Sequence, residues 1–424
     1  MTRVKPPQAD DVTSIVIENG STWTRVGYSG DVTPKHYIPT VYAKDADGKH
    51  YYGEEVDVPR PNTDIFSPMH DGCVQDWDAM SSFWKWIYSD KLFIEPNELP
   101  LVTVEPSWNS LANKQKALEV AFEDLQVPVF SLVKAPIATA YESARPTSLI
   151  IDIGSAVASV TPVIDGSLVP KTVFHSRFAG DFVNLHILTY LQTKNITITP
   201  SYLVRKKSVL DPGQPVSTPD LYEYPDIKPS FHAYQTSKVL HAFKETTSQV
   251  SNVPFTSASP FARIGRPFEF PDGFNMIFGP ERLTTAEPLL KPTQFPLPQV
   301  NLPENSVGSA PGNTIMHGLG DLLYLSLSKL DITPEVLITL LNNIIICGGT
   351  SLISGLTDRI KEEILHMFPT YAPRFYIPEQ ESHRKNVVWT GASVLAGLGT
   401  FDQTWITKQE YDEFGAELAE KRFK

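Results

Sequence analysis

One short pattern occurs twice in this chain. Ile15-Val16-Ile17-Glu18-Asn19-Gly20-Ser21 is echoed by Leu149-Ile150-Ile151-Asp152-Ile153-Gly154-Ser155. In each copy an apolar, β-prone run ends in a carboxylate, any residue, Gly and Ser. Each is followed by a second β-prone run, Thr24–Tyr28 and Val157–Val163, so each copy reads as a hairpin. Two such hairpins predict duplicated lobes that present equivalent turns to each other. Glycine permits close backbone approach, and successive N–H groups form a nest for phosphate oxygens. Glu18 and Asp152, opposed across a cleft, suit a Mg²⁺ ion held through water. Arg25 adds a charged donor within reach of phosphates. The plainer alternative is that the two carboxylates cap their turns.

The length of 424 residues exceeds one ordinary core and fits two lobes of roughly 100–250 residues. A 41% hydrophobic and 20% charged composition is that of a folded, soluble protein. A formal net charge of -12 argues against direct, sequence-specific DNA binding, which rests on Lys and Arg neutralising phosphates. The basic triplet Arg205-Lys206-Lys207 reads as a solvated loop. No run approaches the roughly 18 apolar residues of a membrane helix, and no secretory signal is expected at the start. Cys73 and Cys347, far apart and without metal-ligand spacing, fit a reducing compartment.

Strand-like runs alternate with amphipathic helices, the pattern of α/β layers. Leu101–Val104 precedes a helix starting near Ser110, with Leu111, Leu118, Ala121, Phe122 and Leu125 on one face. Asn343–Cys347 reads as a strand running into Gly348-Gly349, Met316–Lys329 and the stretch after Gly355 as helices, and 391–397 as a last helix. Two Pro-rich segments, 209–230 and 291–313, read as loop insertions.

The two hairpins resemble the phosphate loops of the actin superfamily, and Ile346-Cys347-Gly348-Gly349-Thr350-Ser351 resembles its adenosine motif. Phe268–Gly273 with Gly279-Pro280-Glu281-Arg282, Trp389–Ala396 and Trp405–Glu413 are similar to further actin segments in the same order. Val104-Glu105-Pro106-Ser107-Trp108-Asn109, with Asp76-Trp77-Asp78 and Ala144-Arg145-Pro146, resembles the nuclear actin-related proteins, in particular the actin-related protein 4 class and the actin-like subunit of BAF complexes. The resemblance implies an α/β, actin-like (ribonuclease H-like, duplicated) two-lobed fold with a central nucleotide cleft. Residues 12–145 plus 386–424 would form the outer lobe, with a shortened second subdomain at 33–70, and 146–385 the inner lobe.

It also implies ATP with Mg²⁺ as the ligand, held by Glu18, Asn19, Gly20, Ser21, Thr22 and Arg25 of the first loop. Asp152, Gly154, Ser155, Ala156 and Val157 would serve from the second, Gly348, Gly349 and Thr350 from the adenosine motif, and Lys385 beside the base. The metal would sit near Asp152 and Glu18, through water. Several positions depart from the family. Thr22 and Ala156 replace glycines, Ser155 a carboxylate, and Arg25 a lysine. The water-orienting Gln falls on Ala135 and the assisting His on Ser159. The Lys-Glu pair that covers the purine falls near Thr236-Ser237. Phosphoryl transfer depends on positioning and charge stabilisation, so little or no hydrolysis is expected, and whether nucleotide is held at all stays open.

Members of the resembling class sit in the nucleus, in multi-subunit chromatin-remodelling and histone-acetyltransferase assemblies. There they pair with actin or another actin-related protein on a helical segment of the remodelling ATPase or scaffold. The expected role is therefore a non-catalytic structural subunit of a SWI/SNF- or RSC-type complex, supporting transcription regulation. An INO80/SWR1- or NuA4-type complex is the alternative within that class, and an active ATP-hydrolysing protein the alternative outside it. Tyr141, Leu352, Thr357 and Phe401 are candidates for a groove that takes a partner helix.

Overall fold

The computed structural model describes residues 13–217, 219–254, 265–298, 317–398 and 401–423. The chain builds two sheets with the same topology. In the first, β1 (Ile15–Asn19), β2 (Trp23–Tyr28) and β3 (His36–Pro39) form an antiparallel meander. The strands β4 (Leu101–Glu105) and β5 (Val129–Lys134) then add in parallel beside β1, and Ile406–Thr407 closes the far edge. In the second sheet β6 (Ser148–Ile153), β7 (Ala158–Ile164) and β8 (Ser167–Leu168) repeat the meander. The strands β9 (Ile344–Cys347) and β10 (Phe375–Tyr376) repeat the parallel pair beside β6. The repeated heptapeptide therefore marks the first strand of each sheet.

Both sheets are buried on both faces, because β-strand side chains alternate with a period of two. Ile15 and Ile17 enter one cluster with Phe83, Phe122 and Phe130. Val16, between them, enters another with Val102, Ala138, Trp389 and Ala392. Likewise Leu149, Ile151 and Ile153 face one core with Val183, Phe243 and Ile360, while Ile150 turns to Ala140, Ile345 and Val387. Each such side chain contributes on the order of 1.5–3 kcal/mol on burial.

The helix α1 (Leu111–Glu119) is capped by Ser110, whose hydroxyl accepts the Asn113 N–H at 3.1 Å. It widens into a π-turn over Val120–Asp124. Leu118, Ala121, Phe122 and Leu125 are buried as its periodicity predicts, but Leu111 is exposed. It is the first residue after the cap, at the solvent-facing end of the helix. Two further helices carry the chain between the sheets. Helix α2 (Ala135–Glu142) leads from β5 to β6, with Pro136 in its first turn where a missing N–H costs nothing. The return from β10 to Ile406 runs through a helix spanning Glu381–Ala396, ten residues longer at its start than the sequence reading. The polar stretch Glu381–Lys385 carries no apolar periodicity to announce that start.

The segment 209–230, read as loop, also holds structure. Asp220–Leu221 pairs with Val204–Lys206, and a helix begins at Pro229 and runs to Thr247. That helix, α3, buries Phe231, Gln235, Val239, Leu240, Phe243 and Lys244. Its polar members mask the apolar stripe in the sequence. Of the second insertion, Pro292–Gln294 forms a 3-10 turn, and 299–313 lies outside the described residues, as does the side chain of Phe401. No described helix is long and apolar enough to cross a membrane.

Candidate nucleotide cleft

The two hairpin turns close in the same way. The Gly20 N–H donates to the Trp23 carbonyl at 3.2 Å, and the Gly154 N–H to the Val157 carbonyl at 2.9 Å. A Cβ on Gly20 would lie 2.7 Å from that carbonyl oxygen, and one on Gly154 3.0 Å from its counterpart, so glycine avoids a clash at the first turn and a tight contact at the second. The turns face each other across a cleft of about 1020 Å³. Glu18, Asn19, Gly20, Ser21, Thr22 and Arg25 line it from the first hairpin, and Asp152, Gly154, Ser155 and Val157 from the second. Gly348, Gly349, Thr350 and Lys385 complete the expected set. Ala156, at the tip of the second turn, is the expected residue that does not reach the wall.

The third loop is bound to the second hairpin. Thr350 Oγ1 donates to the Gly154 carbonyl at 2.7 Å. Gly348 has φ +87, and a Cβ there would lie 2.4 Å from Asp152 Oδ1 and from the Ile153 carbonyl. Only glycine combines that backbone conformation with that approach.

The side chains at the floor are more committed than their positions suggest. Arg25 stands opposite Glu18 in the β1–β2 register, and its Nη1 donates to Glu18 Oε1 at 2.9 Å. Its Nε donates to Asn386 Oδ1 at 2.9 Å, and Asn386 in turn donates to the Tyr37 hydroxyl at 2.6 Å. The guanidinium is thus held as an internal counter-ion instead of extending freely toward a phosphate. Asn19 Oδ1 accepts from the Trp84 indole at 3.2 Å. Ser155 donates to Asp181 Oδ1 at 2.8 Å. Lys385 pairs with Glu381 at 2.5 Å and with Glu245 at 3.8 Å.

The two floor carboxyls are strained electrostatically. Burial pushes Glu18 up to about 6; Arg25 pulls against the rise and the Asp152 charge adds to it. Burial likewise raises Asp152 to about 6, against the pull of Arg25. Oε2 of Glu18 is buried and faces the Trp389 backbone amide without closing a well-formed hydrogen bond. Two buried carboxyls with one arginine between them leave a net negative charge that a cation would relieve. The residues therefore fit a hydrated Mg²⁺ with a nucleotide.

Ala135 and Ser159 both line the cleft. Ala135 opens helix α2, and Ser159 stands opposite Asp152 in the β6–β7 register. One more pair reaches the wall, unforeseen from sequence: Lys244 and Glu245, near the end of α3. Lys244 donates to the Gly180 carbonyl at 2.9 Å, and burial lowers its ammonium to about 8. A Lys-Glu pair thus lines the cleft eight residues beyond Thr236-Ser237, where the sequence reading placed the family's pair. The adjacent letters Lys244-Glu245 were the available signal. Of the groove candidates, Tyr141 is exposed beside Gly166, whereas Leu352 belongs to this cleft.

The actin family model matches residues 9–424. This chain belongs to the actin family. Among its actin-family relatives, actin-related protein 4 of Yarrowia lipolytica is 36% identical over 98% of this chain and 97% of its own length. The SWI/SNF and RSC complexes subunit arp42 of Schizosaccharomyces pombe is 35% identical over 98% of this chain and 100% of its own. Actin-related protein 4 of the same yeast is 33% identical, with 98% of each chain covered. The doubled sheet topology and the facing hairpins are what this actin-family membership looks like in three dimensions.

Proposed function

We propose that this protein is a nuclear, non-catalytic actin-family subunit of a chromatin-remodelling complex of the SWI/SNF or RSC type, with a cleft that holds ATP and Mg²⁺ without turning them over. The observation that carries the non-catalytic part is the wall at Ala135 and Ser159. A methyl group cannot orient an attacking water, and neither residue replaces the amide and imidazole that hydrolysis in this family relies on. The chromatin part is supported by the near-complete coverage of a relative named as a SWI/SNF and RSC subunit. The proposed mates are actin or another actin-related protein, seated with this chain on a helical segment of the remodeller ATPase or scaffold.

In the cleft, Glu18 and Asp152 would hold the hydrated ion, and the two turns and Gly348-Gly349 would receive the nucleotide backbone. The bound ion would supply charge neutralisation at the floor. Arg25, fixed by Glu18 and Asn386, keeps the floor from collapsing onto two bare carboxylates. A ligand that binds only the folded state stabilises it by mass action, so nucleotide here acts as a brace.

Mixing the purified protein with ATP and Mg²⁺ under single-turnover conditions tests this directly. Thermal stabilisation with recovery of unchanged ATP is expected; stoichiometric phosphate release would establish an active ATPase instead. Affinity purification should recover a remodeller ATPase, and recovery of dynactin or filament-branching subunits alone would end the chromatin reading.

A further inference from the structure

Away from the cleft, the helix Trp77–Trp86 widens into a π-turn over Ile87–Leu92. Met80, Phe83, Trp84 and Ile87 are buried, and a regular α repeat would bring residue 91 onto the core next. The wider turn places Tyr88 and Leu92 there instead. Lys91 is left beside the core, its ammonium over the Trp86 ring at 5.2 Å and paired with Glu54 at 3.2 Å. The turn ends at Phe93, which is 80% exposed and has φ +56 and ψ +41. The Phe93 N–H donates to the Tyr88 carbonyl, and the Ile94 N–H reaches the same oxygen at 3.3 Å.

Helices that end in the left-handed region do so on glycine or asparagine, because a side chain there crowds its own backbone. Among the described non-glycine residues at positive φ, the others are Asn, Asp, Gln126 and Ala144, so Phe93 is the bulky exception. A lone exposed apolar side chain is ordinary, and Val209 is fully exposed without positive φ. Phe93 combines exposure with backbone strain, and neither is offset by burial within the chain. Strain of this kind persists where a function needs it. The surroundings are acidic. Asp90, Glu95 and Glu98 are exposed beside the ring and Glu54 stands next to Lys91, against Lys85 and Lys91 as the nearby cations. Ser89 donates to Asp90, and Glu98 Oε1 accepts the Glu95 N–H at 3.2 Å.

We infer that Phe93 is the anchor of a protein-docking surface, its ring entering an apolar socket on a partner segment that carries lysine or arginine. An aromatic side chain presented on fixed backbone loses little freedom on binding, which is what makes such anchors dominate an interface. The carboxylates around it select a basic partner by charge complementarity. The surface is independent of whether the cleft holds nucleotide.

The test places the photocrosslinking analogue p-benzoylphenylalanine at position 93 of the full chain, irradiates it in cells and isolates the intact assembly. One dominant adduct is expected, on a segment with Lys or Arg beside the linked position. Binding of the full chain to that purified subunit should weaken at least about tenfold in Phe93→Gly. Glu95→Gln combined with Glu98→Gln should weaken it about two- to threefold at low salt and not at high salt. In the isolated chain Phe93→Gly should keep or raise the melting temperature, because glycine enters the left-handed region freely. A ring that served only to hold the π-turn would instead lower the melting temperature and leave binding unchanged, which overturns the docking surface. An adduct only to another copy of this chain, an adduct to an acidic segment, or no adduct at all overturns it as well.

Discussion

The two hairpins at the cleft floor share a backbone and differ in charge management. In the first, Glu18 stands opposite Arg25 and bonds to it. In the second, Asp152 stands opposite Ser159 and beside Cys347, and no ion pair holds it among the described residues. One arginine therefore serves both lobes, restraining the rise of Glu18 by contact and of Asp152 through space. A duplicated fold need not duplicate its electrostatics: once the lobes close, a charge on one hairpin is an environment for the other.

The largest effect should come from removing that shared charge. Arg25→Gln leaves two buried carboxyls without a counter-ion and should cost about 3 kcal/mol or more by chemical denaturation. Ser159→Ala at the matching position should cost under about 1 kcal/mol. Equal losses would dissolve the asymmetry.

The pH dependence comes next. Glu18 and Asp152 both have folded pKa values raised to about 6, so between the ordinary carboxyl range and 6 the folded state holds more protons than the unfolded one. Stability of the ligand-free protein should therefore fall as pH rises from about 4 to about 6 and then level, a loss of about 2–3 kcal/mol from each group. Asp152→Asn should remove somewhat more of that slope than Glu18→Gln, because Asp152 reaches about 6 from a lower ordinary value. A slope of opposite sign from these two groups, read as the wild-type curve minus that of the double variant, would contradict the assignment.

The smallest expected contrast lies in the turns. Gly20→Ala, whose Cβ would stand 2.7 Å from the Trp23 carbonyl oxygen, should destabilise by about 1–3 kcal/mol. Gly154→Ala, at 3.0 Å, should cost less. The reverse order would mean that the second turn, not the first, is the tighter.

Much of this was legible in the sequence, for a physical reason. A strand that ends in a carboxylate and a forced glycine turn writes itself into seven adjacent residues, so both hairpins and the Gly348-Gly349 loop could be found locally. Their convergence on one cleft followed from the repeat. What stayed hidden depends on distant partners. Arg25 looked like a phosphate donor because nothing local shows that Asn386 and Glu18 hold it. Helix α3 beyond Ser230 was left unassigned because Gln235 and Lys244 occupy buried positions, and their partners Asp57 and Gly180 lie far away in sequence.

The chain crosses between its two sheets twice, through α2 and through the helix Glu381–Ala396. Those helices touch so closely that a Cβ on Gly391 would lie 2.0 Å from the Ala138 carbonyl oxygen. Both crossings are thereby pinned at one backbone-to-backbone contact between the sheets. That contact, with Ala138 and Ala140 packed against Trp389, Val387 and Val388 around it, forms an axle shared by the two lobes. A rotation small enough to leave that contact undisturbed becomes a larger displacement with distance from it. A partner gripping the exposed ends of the two crossing helices would set the angle of the whole molecule.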